Sequence, residues 1–306
     1  MALEPEIARL VESFIAAGRP SSREQTIEER RAGYIASTVL AGDRETRVNV
    51  EDVIIDKISL RIFSPFNRKK TSPAIIYYHG GCFISGGFST HDQQLRQLAF
   101  ESGYLVIAVQ YRLAPEQTYP AAHDDAELAA NLVWQHALRL GIDREGIVLM
   151  GDSAGGHLAL ITGLRVKNAG QWLPQQLVLI YPMLDATASS ESYQSNGTDY
   201  VITRDTLLSG FEAYLADTDY THPEASPLFR HDFYGLPAVH IITAEYDPLR
   251  DEGEALFARL TEQGVICTAQ RYLGVIHGFF QLGGISQSAR HLMGDICARV
   301  RRVNEL

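Results

Sequence analysis

Ser153 stands where a serine could attack a carbonyl carbon. It lies in Val148-Leu149-Met150-Gly151-Asp152-Ser153-Ala154-Gly155-Gly156-His157-Leu158, where an apolar run breaks at a serine flanked by small residues and then resumes as a helix. A serine hydroxyl projects for attack from a sharp strand-to-helix turn, and that turn admits only tiny neighbours two positions away, here Gly151 and Gly155. G-x-S-x-G also occurs in ordinary glycine-rich loops, so the reading depends on its company. Directly after an apolar run ending at Tyr78 comes His79-Gly80-Gly81-Cys82-Phe83-Ile84-Ser85-Gly86-Gly87, a turn of the type that exposes backbone N–H groups. With the amide of Ala154, such a loop could hold the negative oxygen of a tetrahedral intermediate, which needs two or three fixed donors.

A serine nucleophile also requires a base and an acid that orients the base. Both follow in the order serine, acid, histidine. Asp247 sits in Ala244-Glu245-Tyr246-Asp247-Pro248-Leu249-Arg250-Asp251, just past the apolar run Val239 to Thr243. His277 sits in Gly274-Val275-Ile276-His277-Gly278-Phe279-Phe280, just past the run Cys267 to Leu273. Asp251 and Glu252 read as first-turn carboxylates favoured by a helix dipole. His91, His123, His136, His222, His231, His240 and His291 read as packed or surface residues. His79 reads as a hydrogen-bonding brace for its own loop, because no second metal ligand stands at zincin spacing.

The elements that position these groups show in the changing period of the chain. From Ala74 onward, short apolar runs (Ala74 to Tyr78, Leu105 to Gln110, Ile147 to Met150, Leu177 to Ile180, Val239 to Thr243) alternate with helical stretches (Asp125 to Leu140, His157 to Asn168, Glu252 to Gln263). That alternation predicts an α/β fold with a doubly wound, mostly parallel sheet and a ligand site at the strand C-termini. Val48 to Ile55 and Ile58 to Phe63, joined by Asp56-Lys57, predict an antiparallel hairpin at the sheet edge. Residues 1–45 read as amphipathic helices, with Ile7, Leu10, Val11, Phe14 and Ile15 at helical spacing and Ser21-Ser22-Arg23-Glu24 as a capped second start. The polar stretch Ala186 to Gly197 interrupts the rhythm, and the stripe of Leu207, Leu208, Phe211, Tyr214 and Leu215 behind it suits either a lid or a core helix.

Composition narrows the function classes. The 306 residues are 45% hydrophobic and 21% charged, the profile of a soluble globular protein. A formal charge of -10 disfavours nucleic acid and anionic membranes as partners. Cys82, Cys267 and Cys297 lack C-x-x-C spacing, which fits a reducing compartment better than a disulfide framework. The N-terminal residues do not resemble a signal peptide and no apolar run reaches membrane-spanning length, so a cytoplasmic protein without membrane insertion is expected. No metal, nucleotide or flavin signature is present, and no cofactor is expected. Leu292, Ile296 and Val300 could serve core packing or a homodimer contact.

Together these motifs resemble the hormone-sensitive-lipase family of bacterial carboxylesterases, α/β-hydrolases that cleave small acyl esters without a cofactor. Five landmarks match in order: His79-Gly80-Gly81 with Gly86-Gly87, Tyr111-Arg112-Leu113-Ala114-Pro115-Glu116, Gly151-Asp152-Ser153-Ala154-Gly155-Gly156, Asp247-Pro248-Leu249-Arg250-Asp251-Glu252-Gly253 and His277-Gly278-Phe279. The resemblance covers roughly residues 46–300. It implies Ser153 as nucleophile, His277 as general base, Asp247 as its orienter, and the amides of Gly80, Gly81 and Ala154 as the oxyanion hole. It also implies one domain over 1–306, with a helical cap of about 1–45 and 186–222 over a core of about 46–185 and 223–306. Where the family usually has a third glycine this chain has Cys82, whose side chain adds bulk and disfavours positive φ. Cys82, Phe83, Tyr181, Leu208 and Phe211 are candidates to line an apolar slot for short- to medium-chain acyl esters. The triad does not name the leaving group, so an amide, lactone or thioester stays open, as does a non-catalytic receptor on the same scaffold, against which His277 speaks.

Overall fold

Runs such as Ile75-Ile76-Tyr77-Tyr78 and Leu105-Val106-Ile107-Ala108-Val109 have no polar side, so they suit strands covered on both faces. The computed structural model, which describes residues 2–18 and 20–302, places them at the centre of an eight-stranded sheet. The strands are β1 (Val48–Ile55), β2 (Ile58–Pro65), β3 (Ser72–Tyr78), β4 (Leu105–Gln110), β5 (Ile142–Asp152), β6 (Gln176–Ile180), β7 (Ala238–Tyr246) and β8 (Cys267–Ile276). Their spatial order is β1-β2-β4-β3-β5-β6-β7-β8. The hairpin β1–β2 is antiparallel and joins β4 antiparallel, while every pairing from β4 to β8 is parallel. The helices are α1 (Pro5–Ala16), α2 (Ile27–Ala36), α3 (Phe88–Ser102), α4 (Ala121–Gln135), α5 (Ala137–Leu140), α6 (Ala154–Ala169), α7 (Ser192–Ser195), α8 (Arg204–Leu215), α9 (Arg250–Glu262) and α10 (Gln287–Arg302).

Alternation along β3 divides the interior in two. Ile76 and Tyr78 pack with Ala126 and Ala130 of α4, Leu158 and Leu164 of α6 and Leu256 of α9. Ile75 and Tyr77 pack on the other face with Ile7 of α1, Leu95 and Leu98 of α3 and Leu292 and Ile296 of α10. Leu292, Ile296 and Val300 are fully buried there, so the C-terminal stripe is spent on the core rather than left for a dimer contact.

The structure departs from the sequence reading at several boundaries. The second helix starts not at Ser21 but at Ile27, because Thr26 forms a full capping box: its hydroxyl accepts from Glu29 N, and the Glu29 carboxylate accepts from Thr26 N. Ser21 to Glu24 closes a turn instead. Helix α3 was not expected, since Gln93, Gln94, Arg96 and Gln97 blur its apolar face. Its polar residues Thr90, His91, Gln94 and Arg96 are nevertheless buried. Strand β5 reaches back to Ile142, and α4 begins at Ala121, ahead of the polar residues that marked its expected start.

The N-terminal residues and the mid-chain insertion meet. Arg23 forms a two-pronged pair with Glu212 at 2.7 Å, and Arg30 donates to Ser209 Oγ at 2.9 Å and to Thr206 O at 3.1 Å. The α8 stripe serves the core as well, with Leu207, Phe211, Tyr214 and Leu215 buried. Helix α1 lies elsewhere, its Ile7 and Val11 packed into the α3 and α10 face of the core.

Candidate active site

Strand β5 ends at Asp152 and α6 begins at Ala154, leaving Ser153 alone at the corner with φ 55° and ψ −118°. A non-glycine residue at positive φ is strained, and here the surroundings impose it: Ser153 N donates to Ile180 O at 2.8 Å, while Ser153 O accepts from His157 N and Met183 N. Gly155 faces the carbonyl of Tyr78 and Gly151 faces the carbonyl of Gly155, each so closely that a Cβ would overlap them. Gly155→Ala is therefore expected to cost ~3 kcal/mol or more, because the clash is with backbone that cannot rotate away. A urea titration of the variant beside the wild type checks this, and equal midpoints would show that the corner can relax.

Asp247 follows β7, is fully buried, and accepts Leu249 N at 2.7 Å through Oδ1. Its Oδ2 lies 2.8 Å from Nδ1 of His277, which follows β8. His277 Nε2 lies 3.0 Å from Ser153 Oγ. A carboxylate can only accept, so Nδ1 carries the proton of the neutral ring and Nε2 is left to accept from the serine hydroxyl. The three groups form one hydrogen-bonded line across the ends of three strands. Ser153 is 4% and His277 7% exposed, so the line is shielded from bulk water.

The loop after β3 coils with φ of 125° at Gly81, 55° at Cys82 and 62° at Phe83. Three consecutive positive-φ residues take this stretch out of any helix or strand, so its amides are not used by a regular backbone ladder. Cys82 thus adopts the conformation its side chain disfavours. Among the described residues, no acceptor pairs with the Gly81 or Cys82 amide. The Gly80 amide, expected among the oxyanion donors, is already engaged: Gly80 N donates to Asp152 Oδ1 at 2.9 Å, since a buried carboxylate one residue before Ser153 captures it. Ala154 supplies the first amide of α6, among the unpaired donors of a helix start.

The remaining landmarks brace this loop. His79 Nδ1 donates to Gly80 O at 2.9 Å, and its ring stacks on Tyr111 with centroids 4.1 Å apart. Tyr111 in turn donates to His79 O at 2.6 Å. Burial pushes the His79 imidazole down to about 3, so it stays neutral in this role. Ala114 N donates to Phe83 O, and Glu116 holds Arg31 of α2, whose Nε reaches Ile84 O at 2.8 Å. Burial pushes the Cys82 thiol up to about 11 against the opposing pull of Arg30, and Gly210 of α8 packs directly on its Cβ.

The other expected residues divide. Tyr181 packs on His277 with ring centroids 4.7 Å apart. Phe83 and Phe211 are fully buried, and Phe83 stacks on Tyr214 at 4.3 Å beside His123 and His157. Leu208 is half-buried against the same cluster. Glu252 is not a simple helix-dipole carboxylate: it is buried and accepts Leu184 N and Asp185 N, and burial pushes its carboxyl well above the usual range. Asp251 accepts Ser192 N at 2.8 Å and so anchors α7.

Residues 75–281, more than half of the chain, match the family model described as the alpha/beta hydrolase fold. The chain belongs to the α/β-hydrolase family. Its relatives place this hydrolase in the hormone-sensitive-lipase branch that its motifs resemble. It is 31% identical over 303 residues to an ethyl acetate hydrolase of Pseudomonas putida, covering 94% of this chain and 95% of that one. An arylesterase of Saccharolobus solfataricus is 31% identical over 307 residues, with 97% and 98% covered. Among solved structures, the hyperthermophilic esterase of Pyrobaculum calidifontis superposes with a TM-score of 0.90 at 34% identity, covering 99% of both chains. An ester hydrolase from the metagenome of Lake Arreo superposes at 0.92 with 35% identity, covering 97% of this chain and 98% of that one.

Proposed function

We propose that this protein is a serine carboxylesterase that cleaves short- to medium-chain acyl esters through an acyl-enzyme. The observation that carries this reading is the unbroken hydrogen-bonded line from Asp247 through His277 to Ser153 Oγ. His277 takes the serine proton as Oγ attacks the ester carbonyl, and Asp247 stabilises the imidazolium that forms. The amides of Gly81, Cys82 and Ala154 receive the oxyanion, with Gly80 serving the loop rather than the substrate. Collapse of the tetrahedral intermediate expels the alcohol, which takes its proton from His277. Water then repeats the sequence on the acyl-enzyme and frees Ser153.

In this reading the cap comprises residues 20–45 and 186–222, with α2, hydrogen-bonded to α8 through Arg30, as the part nearest the oxyanion loop, while α1 packs on the core away from it. Cys82, Tyr181, Leu208 and Phe211 line or support the acyl slot, and Phe83 sets its floor from behind. The low exposure of Ser153 and His277 supports an enclosed slot that limits chain length, and the small ester in the name of the Pseudomonas putida relative agrees with it. The protein should hydrolyse p-nitrophenyl acetate, butyrate and octanoate rapidly and the palmitate at least ~10-fold more slowly, each extra buried methylene gaining little once the slot is full. Ser153→Ala should abolish all four activities. Faster cleavage of palmitate, or turnover by the alanine variant, would overturn the proposal.

A further inference from the structure

Asp152 has no part in the reaction as described, yet it is the most heavily used acceptor around Ser153. The residue is 2% exposed, and a single oxygen, Oδ1, accepts three bonds: from Gly80 N at 2.9 Å, from Tyr77 Oη at 2.8 Å and from His91 Nε2 at 3.0 Å. These donors come from the end of β3, from the oxyanion loop and from the first turn of α3. Oδ2 lies so close to Gly80 that a Cβ there would overlap it, so loop and carboxylate are in direct contact.

From this geometry we propose that Asp152 is a positioning residue that fixes the aim of the Gly81 and Cys82 amides, with His91 completing its hold. The inference rests on the reading of Ser153, His277 and the loop amides as esterase machinery. Asp152 touches no reacting atom. It acts by fixing the peptide immediately ahead of Gly81, whose φ of 125° has no side chain to restrain it. A charged oxygen accommodates three donors, whereas a neutral amide oxygen offers two lone pairs. Burial pushes the Asp152 carboxyl upward, but His91 and the other donors outweigh it and hold the group below the usual carboxylate range.

The base loop borders the same hub. The Gln281 side-chain amide lies 3.0 Å from His91 Nε2, and Gln281 stands four residues beyond His277. Tyr34 of α2 donates to Gln281 Oε1 at 3.0 Å. Gln281 and Tyr34 border this hub without a hydrogen bond into it, because the one hydrogen on His91 Nε2 goes to Asp152; the bonded unit is Asp152 with Gly80, Tyr77 and His91, in which loss of a member misplaces the others.

The test compares Asp152→Asn, which keeps one acceptor oxygen, with Asp152→Leu and His91→Phe. Active sites are counted by stoichiometric labelling with an irreversible alkyl phosphonate, and kcat per labelled site and KM are measured with p-nitrophenyl butyrate. Affinity for a reversible trifluoromethyl ketone, which mimics the tetrahedral intermediate, is measured alongside. A mis-aimed donor forfeits part of the 10²- to 10³-fold that one oxyanion contact supplies, so kcat per site should fall ~10-fold in the Asn variant and ~100-fold in the Leu variant. KM should stay within ~3-fold, and ketone affinity should weaken in step with kcat/KM. If the Leu variant fails to fold, Asp152→Asn and His91→Phe carry the same comparison. Wild-type kcat per labelled site in those two, with only thermal stability lowered, would overturn the inference, as would a raised KM at unchanged kcat. Wild-type protein that turns over no ester would fell the functional reading and this inference with it, whereas an active wild type with equally active variants fells the inference alone.

Discussion

Asp247→Asn is expected to lower ester turnover by about 10⁴-fold and His277→Ala by about 10⁶-fold, with protein that still folds. The difference follows from what each group does. In the proposed mechanism His277 Nε2, 3.0 Å from Ser153 Oγ, is the acceptor of its proton, and among the described residues no other side chain hydrogen-bonds to that hydroxyl. Without the Asp247 carboxylate, the histidine remains but is wrongly protonated. An Asn amide can present N–H to Nδ1, which drives the ring proton to Nε2 and faces the serine with a donor instead of an acceptor. Neighbouring carboxylates cannot substitute: Asp251 is committed to Ser192 N, and Glu252 to the amides of Leu184 and Asp185. Steady-state assays with p-nitrophenyl butyrate at matched folded concentration check both variants. More than about a tenth of wild-type turnover in either would remove that residue from the proposed triad.

The chemistry-bearing residues were legible in the sequence because their signals are local. Strand ends, glycines at fixed offsets and chain order suffice to point to Ser153, Asp247 and His277, and the structure brings these three together. Alternating apolar runs likewise revealed the parallel strands, since a run with no polar side needs two covers. What stayed hidden depends on long-range partners. Nothing in the sequence around Phe88–Ser102 announces a buried helix, because Gln94 and Arg96 become buried only when the N-terminal residues and the 281 region supply acceptors such as Gln281 O and Val48 O. The Gly80 amide looked free to receive an oxyanion because Asp152, seventy-two positions on, carries no sign that it points back at the loop. Thr26 outcompeted Ser21 as a helix cap through Glu29, a capping-box signal that was available in the sequence and overlooked.

Acidification from pH 7 toward pH 5 is expected to destabilise the protein steeply, through histidines that the fold keeps neutral. Four of the buried histidines are held below the ordinary imidazole value: His79, His123, His157 and His240. Burial is the first cause in each case, pushing His79 down to about 3, His157 and His240 down to about 4, and His123 well below its ordinary value. The tightest constraint is the pair behind Phe83, where His123 Nε2 lies 2.9 Å from His157 Nε2 and both face the Glu224 carbonyl. His157 Nδ1 donates to Met183 O, and the Tyr214 hydroxyl pairs with His123 Nδ1. One N–H fits between the two rings, so another proton would set two donors head to head and bring a positive charge that Arg165 repels. Folded-state pKa values below the unfolded ~6.5 mean that the unfolded chain binds protons first. Stability is therefore fully present above ~6.5 and is lost as pH falls toward the folded values, at up to ~1.4 kcal/mol per pH unit for each histidine. Four together can remove several kcal/mol by pH 5, a large share of the 5–15 kcal/mol available to a folded domain. Glu252 works in the opposite sense, because its raised carboxyl binds a proton in the folded state, but one such group does not offset four. Urea titrations at half-unit steps between pH 8 and pH 4.5 measure the slope directly, and His240→Gln should reduce it by about one histidine's share. A stability that is flat from pH 7 to pH 5 would mean that these imidazoles accept protons without leaving the core.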